Sequence, residues 1–176
     1  MLRVSNETTV QKEYKILMYE FSIIIRLMDK MFEEDVSLLA KKVDLTFPQY
    51  FVLLIIDHEE GLLVSKIAKI GRWHVSTVMS LLERLLEKGL IKLEPVKRGK
   101  GSYVFLTDLG RKTITQEIDA PPPHIVKFMH SMGFEAVKKN LKMYHRVMDK
   151  VFGEKYMDEI REYLNKAREK IGPSID

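Results

Sequence analysis

A mainly α-helical fold carrying one small β-hairpin is predicted by three features of the sequence. Apolar residues recur at alternating spacings of three and four near both ends of the 176-residue chain, the mark of long helical faces. Between residues 90 and 107 that period gives way to two short β-rich runs around a glycine-containing loop. Nine lysines and arginines gather in residues 63–101 against three glutamates, so this window carries +6 in a chain whose total is +4, and the remainder carries −2. A localised basic segment is the electrostatic footprint of a polyanion partner or, more simply, a solvated basic face. The length suffices for one core without disulfides or metals. With 45% hydrophobic and 31% charged residues, disordered and fibrous chains are excluded.

The first helix is read from Val10, Tyr14, Leu17, Phe21, Ile24, Met28 and Met31, with a bend allowed before Val36, Leu39, Ala40 and Val43. Thr46, Pro48 and Gln49 form a capping-box pattern that opens a second helix, stopping near His58 before Gly61. Ser65 is placed as the cap of a short third helix that holds Ile67, Ala68 and Ile70 and ends at Gly71. His74 or Val75 opens the fourth, with Val75, Val78, Leu82 and Leu85 facing inward and Gly89 just past its end. Residues 90–96 and 102–107 are the hairpin strands, joined by Lys97-Arg98-Gly99-Lys100-Gly101. Thr107 or Asp108 caps a further helix, which the prolines at 121–123 terminate or break. Two last helices flank Gly153: one carries Phe134, Val137, Leu141, Tyr144, Met148 and Val151, the other Met157, Ile160, Leu164, Ala167 and Ile171.

Constellations that carry enzyme chemistry are scarce. Cysteine is absent, which excludes disulfides, thiolate nucleophiles and Cys-based zinc sites. The five histidines show no i, i+4 metal pairing, and Gly99-Lys100-Gly101-Ser102 lacks the rest of a phosphate loop. Asp57-His58-Glu59-Glu60 reads as a solvated polar helix end rather than an acid/base site. The expectation is no enzyme, no metal and no cofactor. No apolar run is long enough to cross a bilayer and the N-terminus lacks a signal-peptide layout, so a cytoplasmic protein without a membrane partner is expected. The Asn6-Glu7-Thr8 glycosylation pattern is then a chance match.

Helix, short helix, turn, helix, strand, basic loop, strand and helix is the order of a winged helix-turn-helix, whose second helix enters the major groove while the hairpin flanks it. Ala68 is the small residue where two helices approach, and Gly71 permits the turn. With the apolar stripe inward, Ser76, Thr77, Ser80 and Arg84 turn outward as hydroxyls and a guanidinium suited to phosphates and base edges. DNA contact is therefore expected from Ser65, Arg72, His74, Ser76, Thr77, Ser80 and Arg84, and from Lys97, Arg98 and Lys100. These define a recognition helix at 74–88 and a wing at 97–101. Trp73 is read as packing against neighbouring helices, and His74 is balanced between phosphate contact and capping.

Four stretches make the chain resemble the MarR family of bacterial regulators: Val64-Ser-Lys-Ile-Ala-Lys-Ile-Gly71, His74-Val-Ser-Thr-Val78, Leu82-Glu-Arg-Leu-Leu-Glu-Lys-Gly-Leu-Ile91 and Tyr103-Val-Phe-Leu-Thr-Asp-Leu-Gly110. The wording at 67–71 and 74–77 is most similar to the Hpr (ScoC) branch, regulators of protease production and sporulation in bacilli. The convincing coverage is about residues 48–110; the terminal helices match only in layout. The resemblance implies a triangular, mostly helical homodimer that binds a palindromic operator, usually as a repressor, without a cofactor. Two departures stand out. The family's wing commonly carries an Asp two residues before an Arg, where this chain has Arg98 and Lys100, and the family's sensor cysteine has no counterpart here.

The domain organisation expected is an N-terminal helical dimerisation segment at 1–44, a winged helix-turn-helix at 45–110 and a C-terminal helical dimerisation segment at 111–176. Leu17, Phe21 and Ile24 with Leu141, Tyr144, Met148, Ile160 and Leu164 are the residues expected to join two subunits. The expected partners are double-stranded operator DNA and a second copy of the chain, with room for a small-molecule effector among the methionines and aromatics of the terminal helices. Two other classes stay open: a winged-helix protein-interaction module without specific DNA binding, and a small-ligand-binding helical protein.

Overall fold

The computed structural model describes residues 8–97, 101–115 and 123–172. Thr8 and Gln11 cap the first helix reciprocally: the Thr8 N–H donates to Gln11 Oε1 at 3.0 Å, and the Gln11 N–H donates to Thr8 Oγ1 at 3.4 Å. Helix α1 (Thr9–Lys42) then runs unbroken for 34 residues, about 50 Å. Its C-terminal third buries Asp35, Val36 and Ala40, whereas Val10, Tyr14, Leu17, Phe21 and Ile24 are 53–74% exposed.

Helix α2 (Phe47–His58) is the centre of the core, with Tyr50, Val52, Leu53, Ile55 and Ile56 all buried. A helix apolar on nearly every side must be surrounded. It is packed by α1, by α3 (Val64–Gly71), α4 (Val75–Glu87), α5 (Asp108–Thr115) and α8 (Glu154–Ile171). Three strands complete the central segment: β1 (Leu62–Leu63), β2 (Ile91–Pro95) and β3 (Ser102–Leu106), in the antiparallel order β1-β3-β2. Ile91 faces Leu106 and Pro95 faces Ser102, so residues 90–107 do form the expected hairpin. β1, paired through Leu62 to Val104, was not foreseen, because two residues are too short to show a period. Val104 and Leu106 point inward while Tyr103 is exposed, the alternation of a one-sided sheet.

Thr107 links the sheet to α5. Its hydroxyl accepts from the Gly110 N–H at 3.0 Å and donates to the Gly89 carbonyl at 2.7 Å. Among the described residues, the C-terminal segment after 122 holds three helices where the sequence suggested two: α6 (Pro123–Met132), α7 (Phe134–Phe152) and α8. Pro123 opens α6, a position where its missing N–H costs nothing. The buried Asp35 carboxylate caps α6 from α1, accepting from the Ile125 N–H at 2.8 Å and the His124 N–H at 3.2 Å, with the His124 ring nitrogen at 2.6 Å.

The 57–60 cluster is not a solvated end. His58 Nδ1–H donates to the Leu54 carbonyl at 2.6 Å. Glu59 pairs with Lys66 at 2.9 Å and Lys166 at 2.7 Å, Asp57 with Lys170 at 2.7 Å, and Glu60 with Arg111. Glu59, with Glu162 beside it, raises the Lys166 ammonium to about 12. The end of α2 is thus an ionic junction for α3, α5 and α8. The partners lie up to 113 residues away in sequence, which is why local reading missed them.

Candidate nucleic-acid interface

The helix-turn-helix is built around the turn between α3 and α4. Arg72, not Gly71, takes the left-handed conformation there, at φ +55°, and the Trp73 N–H donates to the Ala68 carbonyl at 3.0 Å. Gly71 makes room for a neighbour instead: a Cβ on it would lie 2.5 Å from the Trp73 ring. Trp73 packs, as its sequence reading proposed, edge-on against Phe51 with ring centres 5.7 Å apart. Leu63 rather than Ser65 caps α3; Ser65 is exposed in the first turn. His74 caps α4 through its backbone, its carbonyl accepting from the Val78 N–H at 3.2 Å. Its exposed ring makes no capping bond.

Helix α4 buries Val78, Leu81, Leu82 and Leu85 and exposes Ser76, Thr77, Ser80 and Arg84. Val75 departs from the expected inward set. It is 51% exposed, as is 40% of Met79 one turn on, because the buried stripe is centred on 78, 81, 82 and 85 and Val75 falls at its edge. The first carboxylate on α4 is Glu83, so its first two turns carry no negative charge.

Ion pairing sorts the basic window. Lys66 is held by Glu59, Lys69 by Glu159 at 2.6 Å, Lys88 by Asp44 at 2.8 Å and Lys92 by Glu94 at 2.9 Å. The Lys88 ammonium correspondingly holds the Asp44 carboxyl below the usual range. Arg84 and Lys97 have no acidic partner among the described residues. Arg72 has none either and lies over the Phe152 ring at 4.7 Å and the Tyr156 ring at 5.7 Å. Tyr156 also donates to the Lys69 carbonyl at 3.0 Å, so the junction of α7 and α8 clasps the helix-turn-helix turn. Nothing local in the sequence signals a contact spanning some eighty residues. Arg98 and Lys100 lie outside the described residues.

Of the residues expected at a subunit contact, Leu17, Phe21, Ile24 and Leu141 are half or more exposed. Tyr144, Met148, Ile160 and Leu164 are partly buried within the chain, Leu164 against the main core. An apolar cavity of about 570 Å³ opens between α2 and α8, lined by Phe32, Phe51, Leu54, Ile160, Tyr163 and Leu164 among others. Among the described residues no group of His, Asp and Glu could hold a metal ion, and no helix is long and apolar enough to cross a membrane.

A buried helical pair with a left-handed turn, a second helix exposing hydroxyls, and an antiparallel hairpin beside it define a winged helix-turn-helix protein. The sequence pattern of the MarR family matches residues 43–100. The transcriptional regulator Hpr of Halalkalibacterium halodurans is 30% identical over 113 residues, covering 64% of this chain and 59% of that protein. The chain thus spans about three fifths of that relative's length. Hpr of Bacillus thuringiensis is 25% identical over 91% of this chain and 93% of its own. An E. coli MarR variant solved with operator DNA shares the fold, with a TM-score of 0.58 at 20% identity over 75% of this chain and 98% of that one. Residues 43–100 thus carry the MarR-family pattern on a winged-helix fold, and the named relatives are transcriptional regulators.

Proposed function

We propose that this chain binds double-stranded DNA with sequence specificity, as a homodimer on a palindromic operator, and represses transcription there. The observation that carries the reading is the exposed, carboxylate-free first half of α4, with Arg84 and Lys97 lacking an acidic partner among the described residues in a region where four other lysines are neutralised. A phosphate backbone supplies the charge these cations lack, and hydroxyls on the same face reach base edges. The fold shared with an operator-bound MarR variant supports the same placement of helix and hairpin. Lys97, Arg98 and Lys100 then meet phosphate at the wing. Replacing all three with Ala should weaken binding to every duplex alike and lower the slope of log affinity against log salt by about three. An unchanged slope in mobility shifts would show that the wing does not touch DNA.

The cavity between α2 and α8 favours a second element of function, an apolar effector. α8 also carries Tyr156, which holds the Lys69 carbonyl, so a ligand that moves α8 would be felt at the turn before α4. Thermal-shift screening with aromatic and aliphatic acids should find stabilising compounds whose effect vanishes in Leu164→Trp. Stabilisation that survives in that variant would place the ligand elsewhere.

A further inference from the structure

We infer that Val75 and Met79 form an apolar reading head for thymine methyl groups, an inference that rests on the DNA-binding reading above. The two residues are 51% and 40% exposed and sit at i and i+4, on one stripe of α4. They flank Ser76 and Ser80, which the same two turns expose. Together with Leu63 and Leu93 they edge an open groove of about 330 Å³ between α4 and the hairpin. Neither packing nor helix propensity accounts for the valine. It stands outside the buried stripe, and a β-branched residue is a mediocre helix former.

The surroundings select the occupant. Arg84 on the same helix and Lys97 at the hairpin lack acidic partners among the described residues, and the first turn of α4 holds no acid. An apolar peptide segment would fill the groove but leave those cations unanswered. In the major groove, by contrast, phosphates flank base edges, and the thymine C5-methyl is the apolar group those edges display. Serine hydroxyls cannot sense that methyl; valine and methionine side chains can. Four residues of helix advance about 6 Å, close to two base-pair steps of roughly 3.4 Å. Each half-site should therefore hold thymines about two steps apart, beside the bases facing Ser76 and Ser80.

The test starts with selection of preferred sites from a randomised 30-base-pair duplex library by the full chain. In the best site each thymine is then replaced by deoxyuridine, which removes the methyl and nothing else. Wild type should lose about three- to fivefold in affinity at one or two positions per half-site, the yield of burying one methyl-sized group. Val75→Ser and Met79→Gln, placed on exposed positions, should unfold near wild-type temperature and lose that sensitivity at one position each. If deoxyuridine costs nothing at any position, or costs the variants as much as wild type, the reading head is overturned while DNA binding stands. If selection enriches no sequence and no duplex is bound, the proposed function itself falls and takes this inference with it.

Discussion

Gly110 shows how one missing atom can set the geometry of the winged segment. A Cβ there would lie 2.0 Å from the Leu90 carbonyl oxygen, which is backbone and is bonded to the Thr107 N–H at 3.0 Å. Gly110→Ala should therefore cost about 3 kcal/mol, the upper range for overpacking, and lower the unfolding midpoint by several degrees. A midpoint within one degree of wild type would mean that α5 can shift freely. At Gly71 the clash is with the Trp73 ring, a side chain that can turn, so Gly71→Ala should cost less. Because Trp73 is the chain's single tryptophan, the same variant should shift the intrinsic emission. The face of α4 supports a readout prediction at this scale. Changing Thr77, Ser80 and Arg84 to Ala should relax the preference between selected and random duplexes, a good base contact being worth about 1–3 kcal/mol. Equal loss on both duplexes would assign the helix to positioning alone. These outward residues were legible in the sequence because a 3.6-residue period fixes the opposite face once the buried stripe is known. Val75 was not, since a residue at the margin of that stripe is assigned by its neighbours in space. Nor was the stacking of Arg72 on Phe152 and Tyr156, for the same reason.

Between elements, carboxylates do the joining, and α6 depends on one from another helix. Burial pushes the Asp35 carboxyl up, but the Ile125 and His124 N–H groups and the His124 ring outweigh it and hold the acid below its ordinary 3.8. The contribution of these bonds is therefore complete above that value and is lost as pH falls through the lower folded value. Asp35→Asn should be less stable than wild type at pH 7 by roughly 2 kcal/mol, as for a lost charge-assisted cap. The gap should narrow only below about pH 4, where the wild-type carboxyl protonates and its linkage to folding disappears. A gap that stays constant from pH 7 to pH 3 in urea unfolding would show that the charge on Asp35 is not what holds α6. Helices α1 to α5 and the hairpin were legible from period, caps and glycines, since each is specified within its own residues. α1 runs unbroken for 34 residues, and the change of apolar phase near Val36 marks where the helix enters the core. The docking of α6 on Asp35 and the ionic junction at Glu59 could not be read this way. Their spacings of roughly 90 and 107 residues belong to tertiary structure.

At the scale of the whole molecule, the distribution of bare apolar surface argues for a second copy. Between residues 14 and 27 of α1, Tyr14, Ile16, Leu17, Met18, Tyr19, Phe21, Ile23, Ile24, Ile25 and Leu27 are all 45–70% exposed. That set is wider than the single seam read from the sequence and occupies nearly every side of the helix. A helix apolar all round is a buried helix, and a contiguous patch of this extent exceeds what a soluble monomer usually shows. α7 adds further bare apolar residues at Phe134, Leu141, Val147 and Val151. Since α1 needs cover on several sides, one facing helix would not suffice. A two-fold partner that lays its own α1 and α7 against these surfaces would cover both helices with one self-complementary contact. The same symmetry would present two copies of α4 about 34–36 Å apart, one turn of duplex, which is what reading a palindrome requires. Sedimentation at micromolar concentration should accordingly give twice the 20.6-kDa chain mass. Phe21→Glu combined with Ile24→Glu sets like charges inside the proposed contact, far from the α2 core. It should yield a monomer that keeps its helical signal but binds a palindromic site no better than a single half-site. A wild-type monomer at that concentration, with no dimer formed on palindromic DNA, would overturn the arrangement and leave the apolar sides of α1 for a different protein to cover.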